Sequence, residues 1–162
     1  MSISSSSFSS SSSAQQNDGV RFISAEQAMD LRMRILRPLH PREACEYAED
    51  NLPTTFHLGI FSENKVICNG TFMQQGHKEF PAAKLPYRLR GMAADAKLQR
   101  SGLGRKIILA AEEELLKRGC DLLWFNARLS AEGFYEKLGY ISTEEIFDIA
   151  GVGAHKVMYK NF

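Results

Sequence analysis

Neither sign of charge dominates the 162-residue chain: 20 lysines and arginines stand against 19 aspartates and glutamates. So even a balance gives none of the field that nucleic acid or an anionic membrane surface demands, and neither is expected as a partner. Cysteine is scarce as well. Cys45, Cys68 and Cys120 lie far apart without paired spacing, which argues against a disulfide framework and a Cys-type zinc site and fits a reducing compartment. No metal is called for. Nowhere do about 18 apolar residues follow one another, as a membrane span requires, and the N-terminus lacks the apolar segment of a secretory signal. These absences leave a soluble, cytoplasmic protein, and 44% hydrophobic residues in a chain of this length suffice for one core.

Residues 1 to 19, "MSISSSSFSSSSSAQQNDG", hold Ile3 and Phe8 as their only large apolar side chains, too little burial to offset chain entropy. They read as a disordered leader. A transit peptide would want arginines, and the first basic residue is Arg21. Residues 20 to 162 then read as a single domain. "VRFIS" is a short strand, after which Ser24 and Gln27 have the spacing of a capping box. Ala28, Leu31 and Ile35 carry a helix up to Pro38, and a second short helix is expected from about Pro41 to Asn51. "TTFHLGIF" and "KVICNGTFMQQ" flank the turn "SENK" as a hairpin, and residues 76 to 86 form a connecting loop. "YRLRGMAA" is a further strand, with Gly91 inside it as the mark of a bulge or a close backbone approach.

Residues 102 to 118 have the strongest helical signal: Leu103, Ile107, Ala111 and Leu115 recur about once a turn, and Gly119 supplies the stop. "DLLWFNA" is a buried strand, "SAEGFYEKLG" a short helix closed by Gly139, and "YISTEEIFDI" and "HKVMYKNF" finish as strands. The order is β α α β β β α β α β β.

The helix from 102 starts on "QRSGLGRK". A helix N-terminus offers amides without intrahelical partners and a partial positive charge, while glycines at 102 and 104 remove the side chains that would keep a ligand from them. Arg105 and Arg100 add charge at the same point. A phosphate or pyrophosphate suits this arrangement, with an ordinary turn into an ordinary helix as the alternative. A dinucleotide-binding turn would need a third glycine where Ile107 stands, and a P-loop would need Lys and then Ser or Thr after its second glycine. Both are excluded.

"RLRGMAADAKLQRSGLGRKIILAAEEELLKRG" resembles the acetyl-CoA binding core of the GNAT superfamily of N-acetyltransferases, whose signature [Q/R]-x-x-G-x-[G/A] is matched from Gln99 to Gly104. "LLWFNARLSAEGFYEKLGY" is similar to the family's next strand and helix, so the resemblance covers Tyr87 to Tyr140 and suggests a bacterial-type member. It implies an α/β (α+β) fold: a mixed, mostly antiparallel sheet of about seven strands flanked by helices, splayed between strands four and five. It also implies acetyl-CoA as cofactor. The amides of Gln99, Arg100, Ser101, Gly102, Leu103, Gly104 and Arg105 would hold the pyrophosphate. The main chain of Met92, Ala93 and Ala94 would pair with the pantetheine arm, with Asn126 at the position of a further cofactor contact.

Acetyl transfer to a primary amine of a small molecule or peptide would follow, with Tyr135 matching the family's general-acid tyrosine. A phenol giving its proton to a thiolate is uphill by about 1.5 pK units, or ~2 kcal/mol, in water. Phe134 is the better candidate for packing on the sheet. For the base, His155 after the turn "AGVGA" borders the acceptor region in related folds. His57 reads as a structural histidine, Glu144 and Glu145 as solvated strand residues, and His77 or a water chain remains. Arg34 and Arg37 are candidate partners for an acidic group of the acceptor, against the commoner role of surface cations. A non-catalytic acyl-CoA binding module is the alternative function. Homodimers are common among proteins the chain resembles.

Overall fold

The computed structural model describes residues 19 to 162. All of the serine-rich leader except Gly19 lies outside the described residues. Seven strands form a mixed sheet: β1 (Arg21–Ile23), β2 (Phe56–Ser62), β3 (Lys65–Gln74), β4 (Pro86–Ala94), β5 (Leu122–Arg128), β6 (Ile141–Ile149) and β7 (Gly153–Asn161). Their order is β1-β2-β3-β4-β5-β7-β6. The helices are α1 (Ala25–Leu31), α2 (Leu103–Lys117) and α3 (Glu132–Lys137). Among the described residues no helix is long and apolar enough to cross a membrane.

Contacts gather the chain into two compact units. The first runs to Thr71 and resumes over Gly91–Glu114. Its α1 opens as its sequence predicts: the Gln27 amide donates to Ser24 Oγ at 3.1 Å and the Ser24 amide to Gln27 Oε1 at 2.8 Å, a reciprocal capping box. Ala28 and Leu31 then face Ile23, Val66 and Ala93 in a core that Ile35, Leu36 and Phe61 cover. The helix does not run evenly to Pro38, however. Arg32–Leu36 form a π-helical turn closed by the Arg37 amide on the Arg32 carbonyl at 3.0 Å. The second helix expected over 41 to 51 is also absent. Only Arg42–Cys45 make a 3-10 turn, after which the Asp50 carboxylate takes the Tyr47 amide at 3.0 Å and the Asp50 amide returns to the Tyr47 carbonyl. A side chain that ties back its own backbone competes with a helix ladder, and here it wins.

The second unit comprises Phe72–Arg90 and Leu115–Phe162. Within it β5, β7 and β6 pair antiparallel, with Asn126 opposite Val157 and both Arg128 and Phe147 opposite His155. The parallel register of β4 on β5 covers Pro86 to Arg88 against Leu122 to Trp124. Both strands run on beyond it, β4 to Ala94 and β5 to Arg128, consistent with strands that part toward their C-terminal ends. Leu122, Trp124 and Val157 form a core on which Phe80, Ala83, Phe147 and Tyr159 pack. Asp121 holds the loop before β4 in place by accepting the amides of Lys84 and Leu85 at 2.7 and 2.9 Å.

Candidate active site

The loop that leads into α2 is shaped by its own backbone. Asp95 caps a 3-10 turn over Ala96–Leu98 through the Lys97 amide at 3.3 Å, and the Ser101 amide and hydroxyl both return to the Leu98 carbonyl. Arg100 (φ 68°) and Gly102 (φ 90°) are both left-handed. For arginine that conformation is unfavourable and needs a reason. The first ladder bond of α2 runs from the Lys106 amide to the Gly102 carbonyl at 3.2 Å, so the amides of Leu103, Gly104 and Arg105 precede the ladder. A Cβ on Gly102 would meet no atom within 4 Å, and Ser101, Gly102 and Arg105 are exposed. Bare, outward backbone of this kind suits an anionic group. Gln99 is engaged locally: its side-chain amide donates to the Ala94 carbonyl at 3.3 Å and so braces the loop against the end of β4. On that strand Ala93 is buried in the core of the first unit, while Met92 and Ala94 are half-buried.

Tyr135, the candidate acid, sits on α3. That helix ends in a paired closure: Gly139, at φ 96°, lets the Tyr140 amide reach the Tyr135 carbonyl at 3.1 Å while its own amide bonds the Glu136 carbonyl at 3.0 Å. The spacing in "YEKLGY" is what this closure requires. At the other end Glu132 ties α3 to the sheet, accepting from the Ser142 hydroxyl at 2.6 Å and from Lys156 Nζ at 3.2 Å. These contacts, the hydroxyl first, hold its carboxyl below the usual carboxylate range. The Tyr135 ring is 7% exposed, its centroid 4.3 Å from that of Phe125 and 6.1 Å from that of Tyr140. Phe134, by contrast, is 38% exposed. The expectation that Phe134 is the packing residue and Tyr135 its outward neighbour is therefore reversed.

Residues directly opposite in an antiparallel pair point to one face, and neighbours along a strand to opposite faces. Asn126, Val157, His155 and Phe147 thus share one face of the second unit's sheet, and Phe125, with Tyr135 over it, lies on the other. The structure brings Asn126 and His155 to one side and sets Tyr135 apart from both by the thickness of the sheet. On the side of Asn126 a cleft of ≈ 230 Å³ opens between β5, β6 and the loop at His77, with Glu79 and Glu145 at its wall.

Hydrogen-bond partners sort the histidines. In His57 one ring nitrogen lies 2.9 Å from the Asp50 carbonyl, which can only accept, and the other 2.8 Å from the Thr71 hydroxyl. Both nitrogens are in use. Burial above all, with Arg32 adding repulsion, lowers its pKa. His77 spends Nδ1 on the Glu79 amide at 3.1 Å and rests edge-on against Trp124 at 4.6 Å, and burial lowers its pKa too. His155 differs. Its Nδ1–H donates to the Gly153 carbonyl at 2.7 Å, which leaves the Nε2 lone pair able to take a proton. It is 4% exposed and stacked on Phe147 at 6.0 Å. Glu144 and Glu145 are exposed, as solvated strand residues should be. Arg34 is shared between Asp30 and Asp95, and Arg37 is half-buried. Cys68 and Cys120, buried, have their thiols pushed up to about 12 and about 11, so neither is a nucleophile at neutral pH.

One polar cluster escapes sequence reasoning altogether. Arg32 is 0% exposed and forks onto Asp50, Nη1 to Oδ2 and Nη2 to Oδ1, each at 2.8 Å. It also donates to Thr71 Oγ1 at 2.7 Å and to the Cys45 carbonyl at 3.0 Å. Thr71 in turn meets His57, so one network joins the π-helical turn after α1, β2, β3 and the Asp50 turn. The signal available in the sequence is spacing: Arg32 falls four residues after Ala28, on the buried stripe, while Arg34 falls off it.

This network makes stability depend on acid. The folded His57 pKa lies below its ordinary 6.5, so below that pH the unfolded chain takes a proton the folded chain refuses, and stability falls. Burial is the largest single effect on the Asp50 carboxyl and raises its pKa. The Arg32 and Tyr47 hydrogen bonds and the Arg32 charge together outweigh it and hold the group below 3.8, which adds a second loss once pH drops through that range. The denaturant midpoint is therefore expected to be level above about pH 7 and to decline toward about pH 5. A level midpoint across that window would remove His57 from the account.

The chain matches the family model for the acetyltransferase (GNAT) family over residues 25–140, a span that draws on both units. It is 40% identical over 141 residues to the uncharacterized N-acetyltransferase YitI of Bacillus subtilis (strain 168), covering 87% of this chain and 94% of that protein. Its fold is similar to that of Escherichia coli ElaA, with a TM-score of 0.69 at 14% identity over 88% of this chain and 98% of that one. It is also similar to an aminoglycoside 6′-N-acetyltransferase solved with coenzyme A, with a TM-score of 0.69 at 13% identity over 88% of this chain and 96% of that one. At such identities the two structures speak to the fold alone.

Proposed function

The chain belongs to the GNAT acetyltransferase family, and from that premise we propose that it moves an acetyl group from acetyl-CoA to a primary amine of a small molecule or peptide. One acetyltransferase domain over residues 20 to 162 carries the reaction. The observation that bears most weight is the loop at Arg100–Arg105, where left-handed backbone at Arg100 and Gly102 leads to amides that precede the α2 ladder. That is the chemistry a cofactor pyrophosphate asks for. Acetyl-CoA supplies an activated thioester. Met92, Ala93 and Ala94 offer main-chain groups to its pantetheine arm, and Asn126 offers a side-chain amide.

The amine reaches the thioester neutral, a C–N bond forms and the C–S bond breaks. The amine's proton is taken in this reading by water, since strand register sets His155 on the face of the sheet opposite Tyr135. Tyr135 is proposed to give a proton to the leaving thiolate. The cleft beside Asn126 has Glu79 and Glu145 in its wall against one cation, Lys78, a modest acidic excess for an amine's approach.

Thermal unfolding with and without acetyl-CoA tests the reading most cheaply. A ligand at about a hundred times its dissociation constant adds about 2.7 kcal/mol, which raises the midpoint of a domain this size by several degrees. Release of free CoA thiol on adding a panel of amines then separates an enzyme from a binding module. A transition that acetyl-CoA leaves in place would sink the proposal.

A further inference from the structure

Gly91 marks an irregularity of β4, and the structure identifies what comes close there. Its φ is 67°, and a Cβ built on it would stand 3.1 Å from Arg32 Nε and 3.3 Å from Tyr47 Oη. The side chain that approaches the strand is the protein's own buried arginine. Arg32 is held on the far side by its fork onto Asp50 and covered by the Tyr47 ring, whose centroid lies 4.0 Å from the guanidinium carbon. Its Nε, buried beside Gly91, has no hydrogen-bond partner. The backbone beneath it is a π-helical turn.

A π turn and an unbonded buried N–H are each unfavourable, and the left-handed step of β4 is one that glycine takes without steric cost. Unfavourable features persist where surrounding structure holds them for a purpose, and here two of them meet the glycine step of β4. The next three residues are Met92, Ala93 and Ala94. With no exposed surface, Arg32 cannot itself touch a substrate.

We propose that Arg32 is a positioning residue: locked by Asp50, it fixes the left-handed step of β4 at Gly91 and so sets the direction in which the main chain of Met92 to Ala94 is presented to acetyl-CoA. This rests on the reading of those residues as the pantetheine-binding edge. Gly91 is then required by Arg32, and the cofactor benefits at one remove.

The test compares wild type with Arg32→Lys, which keeps the charge but cannot fork, and Gly91→Ala, which keeps the ion pair intact and pushes on Nε. Melting temperature is measured first, then steady-state constants well below the lowest melt. Misplacement of a binding edge is expected to raise KM for acetyl-CoA about tenfold or more while KM for the amine stays within about twofold. If Arg32→Lys does not fold, Gly91→Ala decides alone. Variants that melt earlier yet keep the wild-type KM for acetyl-CoA would show a purely structural arginine and overturn the proposal. A wild type that does not bind acetyl-CoA would instead overturn the acetyltransferase reading beneath it, and this inference with it.

Discussion

Replacing Tyr135 by phenylalanine is expected to lower kcat by about 10²-fold or more, with KM for acetyl-CoA nearly unchanged. The change removes one oxygen and leaves the ring in contact with Phe125, Phe134 and Tyr140. The Tyr140 and Gly139 amides that close α3 bond main-chain carbonyls, so the closure survives as well. A side chain that acts only as the bond to sulfur breaks should affect the chemical step and spare binding. Steady-state kinetics of thiol release at varied acetyl-CoA checks this split between kcat and KM. A variant with wild-type kcat would remove Tyr135 from the reaction.

Local signals carried most of the fold. The capping box at Ser24 and Gln27, the helix stops at Gly119 and Gly139, and the glycine-opened start of α2 all depend on residues within five positions of each other, and each stands where its spacing placed it. The start of α2, with amides ahead of its ladder, was legible for the same reason. What spacing could not show is anything decided by partners far along the chain. Arg32 reaches Asp50 across 18 residues and Thr71 across 39, and its place on the stripe of Ala28 names neither partner. The helix expected at 41 to 51 fails for a related reason, since Asp50 is claimed by Arg32 and by the Tyr47 amide. Strand register, too, is invisible in a single sequence. It puts Asn126 and His155 on one face and Tyr135 behind the other.

Asp50→Ala should be the most damaging single change for stability, costing about 3–5 kcal/mol. The loss exceeds that of an ordinary ion pair because of where the remaining charge is left. Arg32 has no exposed surface, and its guanidinium keeps only the Thr71 hydroxyl, the Cys45 carbonyl and the Tyr47 ring once the carboxylate is gone. A surface pair such as Arg34 with Asp30 obeys different arithmetic: both partners are solvated, water replaces either one, and its removal should cost at most about 1 kcal/mol. Comparing Asp50→Ala with Asp30→Ala by denaturant titration at neutral pH therefore separates buried charge from counted contacts. The double change Arg32→Met with Asp50→Leu should recover much of the loss, since replacing both members of a buried pair by apolar groups removes the orphaned charge. Recovered stability without recovered affinity for acetyl-CoA would distinguish what the arginine contributes to holding the domain together from what it contributes to shaping β4. A single variant as stable as the wild type would show that Arg32 finds another partner on the loss of Asp50.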